Sequence, residues 1–507
     1  MSKIVLGIDI GTSGCKLIAM NNNGDILSSI VESYSLYTPA PGWTEQNPDD
    51  WWEAVLRGLN KIIPSIDAKQ ISGISFSGQM HGMVALNCNY NVIRPAILWN
   101  DQRTVKQCQE IMQKAGGLEK LLTYTNNRML TGFTGGKILW MKQNEPDNYN
   151  KTTVIINPKD YIRFKLCGNI ATDVSDASGY GLFDVKNIKW AYELIEKIGL
   201  RGDIFPPVLQ SVDTAGYITK QISSLTGIPE GVPVVAGGGD AVISTTGLGL
   251  IGTGRVGITL GTSGVVALSL NGYIDNPNGM LQISCNNSPN TWHAMGVTLA
   301  AAGSYEWFKK SLGNMLIDTA KQENISPFDY LNNLASPTNP GADGLLYLPY
   351  LTGERAPIND PNATGLFAGI RSTHTLGHFA RAVQEGVAFS LKQVFDLINS
   401  SDTGNSTSDE IVIAGGGAKS PLWRQIFADI FNLPVKTVYG SAEGGSFGAA
   451  IVAGVGCGIW DSLKNAASII KPQSTTLPNP LNLPIYSKAY EKYLKLYPAL
   501  SDFMHLD

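Results

Sequence analysis

The octapeptide GIDIGTSG at residues 7–14 returns almost unchanged as GITLGTSG at residues 257–264, an offset of 250 in a chain of 507. A repeat at nearly half the length predicts two similar halves, since a chain this long exceeds one hydrophobic core and divides into domains. Each copy reads as a strand that ends in Gly-Thr-Ser-Gly and turns straight into the next strand. Such a turn exposes consecutive backbone N–H groups beside two hydroxyls, with no bulky side chain in the way, and so forms a cradle for phosphate. A single copy reads first as a tight turn that happens to use Gly, Thr and Ser. The matched pair favours two cradles gripping one polyphosphate from opposite sides of a cleft.

The chemical change within the repeat is Asp9 to Thr259. A carboxylate beside phosphates is repulsive unless a cation bridges them, and Mg²⁺ takes one or two carboxylates with phosphate oxygens and water. Asp9 is therefore the expected metal anchor. One anchor suffices, which leaves the second copy free to carry threonine.

Charge narrows the partners. With 43% hydrophobic residues, 16% charged residues and a net charge of −4, the chain has neither the composition of disorder nor the basic excess of a nucleic-acid binder. No run of 18 apolar residues is present, so no membrane span is expected. The opening MSKIVLGIDIG reads as a strand rather than a signal peptide, because Asp9 interrupts a short apolar run. Six dispersed cysteines lack a CxxC pair or a nearby histidine at metal-ligand spacing, as reduced core thiols of a cytoplasmic protein would.

Strands alternate with helices along the chain. IVLGIDIG and the run from Cys15 to Val31 predict paired strands turning at Asn22-Asn23-Gly24. A helix follows, capped by Asn47 with Pro48 at its first position. ISGISFSG reads as a buried strand. VPVVAGGGD (232–240) is a strand running into three glycines and an acid. IVIAGGG (411–417) precedes a helix with Ser420 at its cap, Pro421 at its first position and a core stripe of Trp423, Ile426, Phe427 and Ile430. Tyr486, Tyr490, Tyr493 and Tyr497 form a packing stripe before Pro498.

A GxxxxGK[ST] loop is absent, as is a GxGxxG opening a helix after the first strand. Gly444-Gly445-Ser446-Phe447-Gly448 matches the GxSxG nucleophile elbow, but YGSAE before it is no apolar strand, so it reads as close packing at a helix start.

With GIDIGTSGCK, GWTEQNPDDWW, SGQMHG, RPAILWNDQRT, TGFTGGKILWMKQNEP, PKDY, VVAGGGD, GTSGV, LPYLTGERAP and IAGGGAKSPLWRQIFAD in order, the whole chain resembles the FGGY carbohydrate kinases of the actin, Hsp70 and hexokinase superfamily. SGQMHG and ILWND resemble its xylulokinase branch. The resemblance implies an α/β fold of two ribonuclease-H-like domains flanking a cleft, residues 1–245 for the sugar and 246–507 for the adenine end. It also implies ATP with Mg²⁺ as donor and a small sugar as acceptor, with a homodimer allowed for.

Phosphoryl transfer asks for positioning, charge neutralisation and an acid to accept the attacking hydroxyl's proton. Asp240 is expected as that base, because strand ends facing a cleft are where ligands bind in open α/β sheets. Capping of the following helix is a role that can coexist. The family likeness makes Met80, His81 and Trp99, with Asp240, the expected sugar positions. Gly11, Thr12, Ser13, Gly261, Thr262 and Ser263 are expected on ATP phosphates, and Gly415, Gly416, Gly417 and Ala418 against its base.

Two positions depart from the family pattern. Ala241 stands where an amide usually follows the catalytic aspartate, which weakens the expectation of D-xylulose against ribulose, gluconate, a deoxy-sugar or a polyol. Gln384 replaces an apolar helix residue, with only a packing consequence expected. An ATP-gated binding protein that shares the cradles without the sugar motifs is the alternative from another class.

Overall fold

In the computed structural model, each copy of the repeated phrase forms an antiparallel β-hairpin inside a mixed sheet, the two closing in different registers. The structure describes residues 3–252, 254–311, 314–401 and 408–506. The first sheet is built on β1 (Ile4–Ile10), β2 (Gly14–Asn21), β3 (Ile26–Ser33), β4 (Ile71–Gly78), β5 (Thr214–Tyr217) and β6 (Pro233–Val235), in the order β5-β6-β4-β1-β2-β3. The second is built on β7 (Arg255–Leu260), β8 (Gly264–Leu270), β9 (Trp292–Thr298), β10 (Glu410–Ala414), β11 (Val435–Val438) and β12 (Pro472–Thr476), in the order β9-β8-β7-β10-β11-β12.

Strand directions match between the halves. The hairpin strands β1 and β7 pair antiparallel on one side and parallel, with β4 and β10, on the other. Antiparallel β5 and β12 close the far edges. Each half is thus a ribonuclease-H-like α/β domain, and the expected two-domain architecture is the one observed.

The helices that matter for the cleft are α1 (Pro48–Ile62), α2 (Thr134–Asn144), α3 (Pro158–Cys167), α4 (Asp240–Gly247), α5 (Leu376–Ser401), α6 (Pro421–Phe431) and α7 (Gly445–Gly456). Local chemistry starts them. Asn47 caps α1 ahead of Pro48, and the Ser420 hydroxyl accepts the Trp423 N–H at 3.2 Å ahead of α6. All four residues of the predicted α6 stripe are buried. The tyrosine stripe lies on helix Leu483–Met504, which runs through Pro498.

Two helices lock the halves together. α7 belongs to the second half in sequence, yet it lies on the first sheet: a Cβ on Gly7 would stand 2.0 Å from the Ser446 carbonyl oxygen. α4 crosses α7 so closely that a Cβ on Gly448 would stand 1.9 Å from the Ile243 carbonyl. Val5 and Ile18 of the first sheet and Ala267 and Val412 of the second share one buried cluster with Ile243 and Ile451. The expected divide between residues 245 and 246 falls inside α4. The GxSxG match is the start of α7, where Ser446 is buried and donates to the Glu443 carbonyl at 2.8 Å.

All six cysteines are unbridged, and Cys88 is exposed rather than in the core. No helix among the described residues is long and apolar enough to cross a membrane.

Candidate active site

β6 ends at Val235, Gly237 turns at φ +80°, and Gly238-Gly239 pair with Ser77 and Gly78 of β4 before α4 begins at Asp240. The glycines are needed for closeness. A Cβ on Gly237 would stand 2.2 Å from the Phe76 carbonyl, and one on Gly239 would stand 2.4 Å from Met80 Cγ. Asp240 is the first helical residue, and its Oδ1 accepts the Ala241 N–H at 2.7 Å. Gly239 stands at the cap of α4 and no side chain caps it, so the capping role weighed for Asp240 is not the one observed. Shielding from water, and then the charge of Asp9, push its carboxyl up to about 7, against the lowering pull of the Ala241 and Met80 backbone N–H groups.

Asp9 sits between Lys16 of β2 and Ser77 of β4 in the strand register. Burial raises its carboxyl, with the Ser77 hydroxyl and Lys16 opposing. Its Oδ1 is buried with no hydrogen-bond partner. An orphaned carboxylate oxygen, with the charge of a second carboxylate nearby, is chemistry that a divalent cation fits. Among the described residues no cluster of three or more His, Cys, Asp or Glu forms a metal centre, so a cation held at Asp9 would draw most of its ligands from outside the protein.

His81 adopts φ +69°, rare for a residue with a side chain. Its Nδ1 lies 2.8 Å from the Gly179 carbonyl, an acceptor only, so Nδ1 carries the hydrogen and Nε2 is left to accept. Burial, followed by the charge of Lys137, lowers its pKa to about 3, and the ring is neutral. Lys137 of α2 is fully buried and donates to the carbonyls of His81 and Gly132, both at 2.7 Å.

Trp99 is 46% exposed, and its indole N–H donates to Thr12 Oγ1 at 3.0 Å. Thr12 donates in turn to Gln79, Gln79 to Gln46, and Gln46 to the Thr12 carbonyl. The first Gly-Thr-Ser-Gly turn and the SGQMHG and ILWND segments are thus one hydrogen-bonded unit.

A cavity of about 960 Å³ opens beside the second cradle. Gly261, Thr262, Gly416 and Gly417 line it, while Ser263, Gly415 and Ala418 do not. Nor do Gly11, Thr12 and Ser13, which stay with the first hairpin. Gly415 and Gly416 differ in the room beside them. A Cβ on Gly415 (φ +93°) would stand 2.5 Å from the Leu260 carbonyl, whereas nothing lies within 4 Å of one on Gly416. In both turns the carbonyls are engaged from behind. Gly11 and Thr12 accept from Tyr34 and Gln46; Gly261 and Thr262 accept from the amides of Ala302 and Ala301.

Some contributors carried no assigned role in the sequence reading. Lys159 of α3 is fully buried among Asp160 at 2.6 Å, Asp173 at 2.9 Å and Asp176 at 3.1 Å. Asp173 accepts from Ser175, whose hydroxyl accepts the Gly239 N–H at 2.9 Å, so the cluster holds the strand that carries Asp240. With Arg163, two cations face three carboxylates, and burial raises Asp176 well above its usual range. The PKD and TDVSD runs were the available signal, since acids that dense inside otherwise apolar segments imply buried pairing. Gln384 also does more than pack: it donates to Asn332 at 2.8 Å, and Asn332 lines the large cavity.

Known proteins match this arrangement over their full length. The model described as the FGGY family of carbohydrate kinases, N-terminal domain, matches residues 4–247, and that of the C-terminal domain matches residues 256–457. The chain is 37% identical to a xylulose kinase of Bacillus subtilis, covering 99% of this chain and 98% of the relative. It is 38% identical to one of Lactococcus lactis with the same coverage. A solved structure described as a xyloylose kinase from Brucella ovis superposes with a TM-score of 0.88 at 30% identity, over 99% of this chain and 100% of that one. A family of sugar kinases implies ATP as donor. Both family models and the full-length likeness agree: this chain belongs to the FGGY family of carbohydrate kinases and is a carbohydrate kinase.

Proposed function

We propose that the chain transfers the γ-phosphoryl group of ATP to the terminal hydroxyl of a ketopentose, converting D-xylulose to D-xylulose 5-phosphate. The observation that carries this reading is the grouping of Asp240, Met80 and His81 around Gly239 and Gly179, with Asp240 raised to about 7. A carboxylate near that value takes a proton at neutral pH and returns it to solvent.

Asp240 holds the sugar's terminal hydroxyl and accepts its proton as the oxygen bonds to phosphorus. The bond from phosphorus to the ADP oxygen breaks, and ADP leaves. His81 Nε2 accepts a hydrogen bond from a second hydroxyl, Met80 supplies apolar surface, and Trp99 covers the sugar face. Residues 1–245 serve the sugar and 246–507 the nucleotide. Gly261, Thr262 and Ser263 lie along the phosphates, and Gly416 leaves room for the flat base with Gly415, Gly417 and Ala418 behind it. Gly11, Thr12 and Ser13 face the phosphates from the other side. Asp9 would hold Mg²⁺, which supplies charge neutralisation on the phosphates when bound. The enzyme works in the cytoplasm, where ATP and reduced thiols coexist.

ADP release measured over D-xylulose, D-ribulose, gluconate, deoxy-sugars and polyols tests the reading. A preference for D-xylulose is expected. A strong preference for gluconate or a polyol would replace the acceptor, and ATP hydrolysis indifferent to every sugar and to D240N would replace the kinase reading.

A further inference from the structure

A cavity of about 20 Å³ lies against the sugar loop, between the two halves. Met80, His81 and Ala241 wall it on one side, and Gln282, Ser284 and His293 on the other. That volume admits one water-sized group, so it fits a single hydroxyl and not a whole sugar.

His293 is the wall residue with an unmet need. It is 1% exposed, and its Nε2 has no hydrogen-bond partner. It lies in β9, paired with Ser269 of β8 and with Ser284 of the adjoining strand Gln282–Cys285, so the strand register fixes where its side chain stands. Burial lowers its pKa to about 4, and the ring is neutral. A buried polar nitrogen left unpaired is costly, and a ligand hydroxyl that reaches it removes the cost. Opposite stands Ala241, which offers this wall a methyl group and no polar atom.

We propose that His293 is a specificity-determining residue for the acceptor: its Nε2 hydrogen-bonds the sugar hydroxyl that enters the cavity beside Ala241, so that selectivity is set by both halves together. The assignment rests on the sugar-kinase reading above. It differs from a role in folding because it predicts the loss of discrimination at one hydroxyl, not a uniform loss.

The test compares wild type, H293L and H293Q. It reads kcat/KM for D-xylulose and its 1-, 3- and 4-deoxy analogues, KM for ATP, and thermal unfolding. Sugar binding without ATP is followed by Trp99 fluorescence. H293L is expected to lose about 10- to 100-fold on D-xylulose but less than about 2-fold on one deoxy analogue, with KM for ATP unchanged. H293Q, which keeps a polar group, should recover part of the discrimination. If H293L does not fold, H293Q alone carries the test through a weakened preference at that same hydroxyl. Equal losses on all four sugars, or discrimination like wild type in folded variants, overturns the assignment. A wild type that phosphorylates none of the sugars overturns the ketopentose reading first; discrimination retained in an active H293L enzyme overturns only the role of His293.

Discussion

Asp9 lies near enough to Asp240 for its charge to add to burial in raising the Asp240 carboxyl to about 7. The pairing sets the pH behaviour of the site. A base must be ionised to accept a proton, so kcat/KM should fall on the acid side of about pH 7, tenfold per unit well below it. D240N should lower kcat by about 10³-fold and remove that limb. Stability runs the other way. The folded-state value lies above the ordinary 3.8, so Asp240 favours the fold below about pH 4, and this contribution is lost as pH rises through 7. D240N should therefore raise Tm relative to wild type at pH 8 and not at pH 4; calorimetry at both pH values decides it.

Removing the Asp9 charge should lower the Asp240 pKa, because Asp9 raises it. In metal-free D9N, ¹³C-carboxyl NMR should put the Asp240 midpoint below 7. A midpoint that stays put would mean that burial alone sets the value. The same variant should need at least about tenfold more Mg²⁺ for half-maximal activity if Asp9 anchors the ion.

The bond from the Trp99 indole to Thr12 Oγ1 predicts energetic coupling between sugar and nucleotide ends. T12V and W99F should each raise KM for sugar and for ATP. In a double-mutant cycle the two should be non-additive by about 1 kcal/mol in kcat/KM. Strict additivity would reduce the bond to a bystander.

Gly415 and Gly416 should separate fold from binding. G415A places a Cβ at φ +93° against the Leu260 carbonyl, and should cost about 2–4 kcal/mol in denaturant unfolding. G416A projects into open space, so its unfolding midpoint should match wild type while KM for ATP rises several-fold. Equal stability losses in both would remove the distinction.

Gln384 should act on the nucleotide side through Asn332. Q384L releases Asn332 in the large cavity and should raise KM for ATP by about 3- to 10-fold, with KM for sugar unchanged. A shift in sugar KM instead would show that the helix, not Asn332, transmits the change.

Much of the molecule was legible in the order of residues. The repeat fixes the presence of two hairpins, and Asn47-Pro48 and Ser420-Pro421 fix helix starts, because caps and turns depend on a few adjacent groups. The acid's place at a helix start follows from the strand running out into glycines. The rest depended on neighbours distant in sequence. Identical Gly-Thr-Ser-Gly turns differ in register: Gly11 N–H bonds the Gly14 carbonyl, but Gly261 N–H bonds that of Ser263. Tyr34 and Gln46 hold the first turn from behind, while the start of helix Ala302–Ser311 holds the second. Nothing in the shared tetrapeptide distinguishes the two. Likewise, whether a glycine of GGGA faces the cavity or packs on Leu260, how high the Asp240 pKa lies, and that His293 ends beside Ala241 depend on burial and long-range packing, which arise only when the two sheets close around α4 and α7.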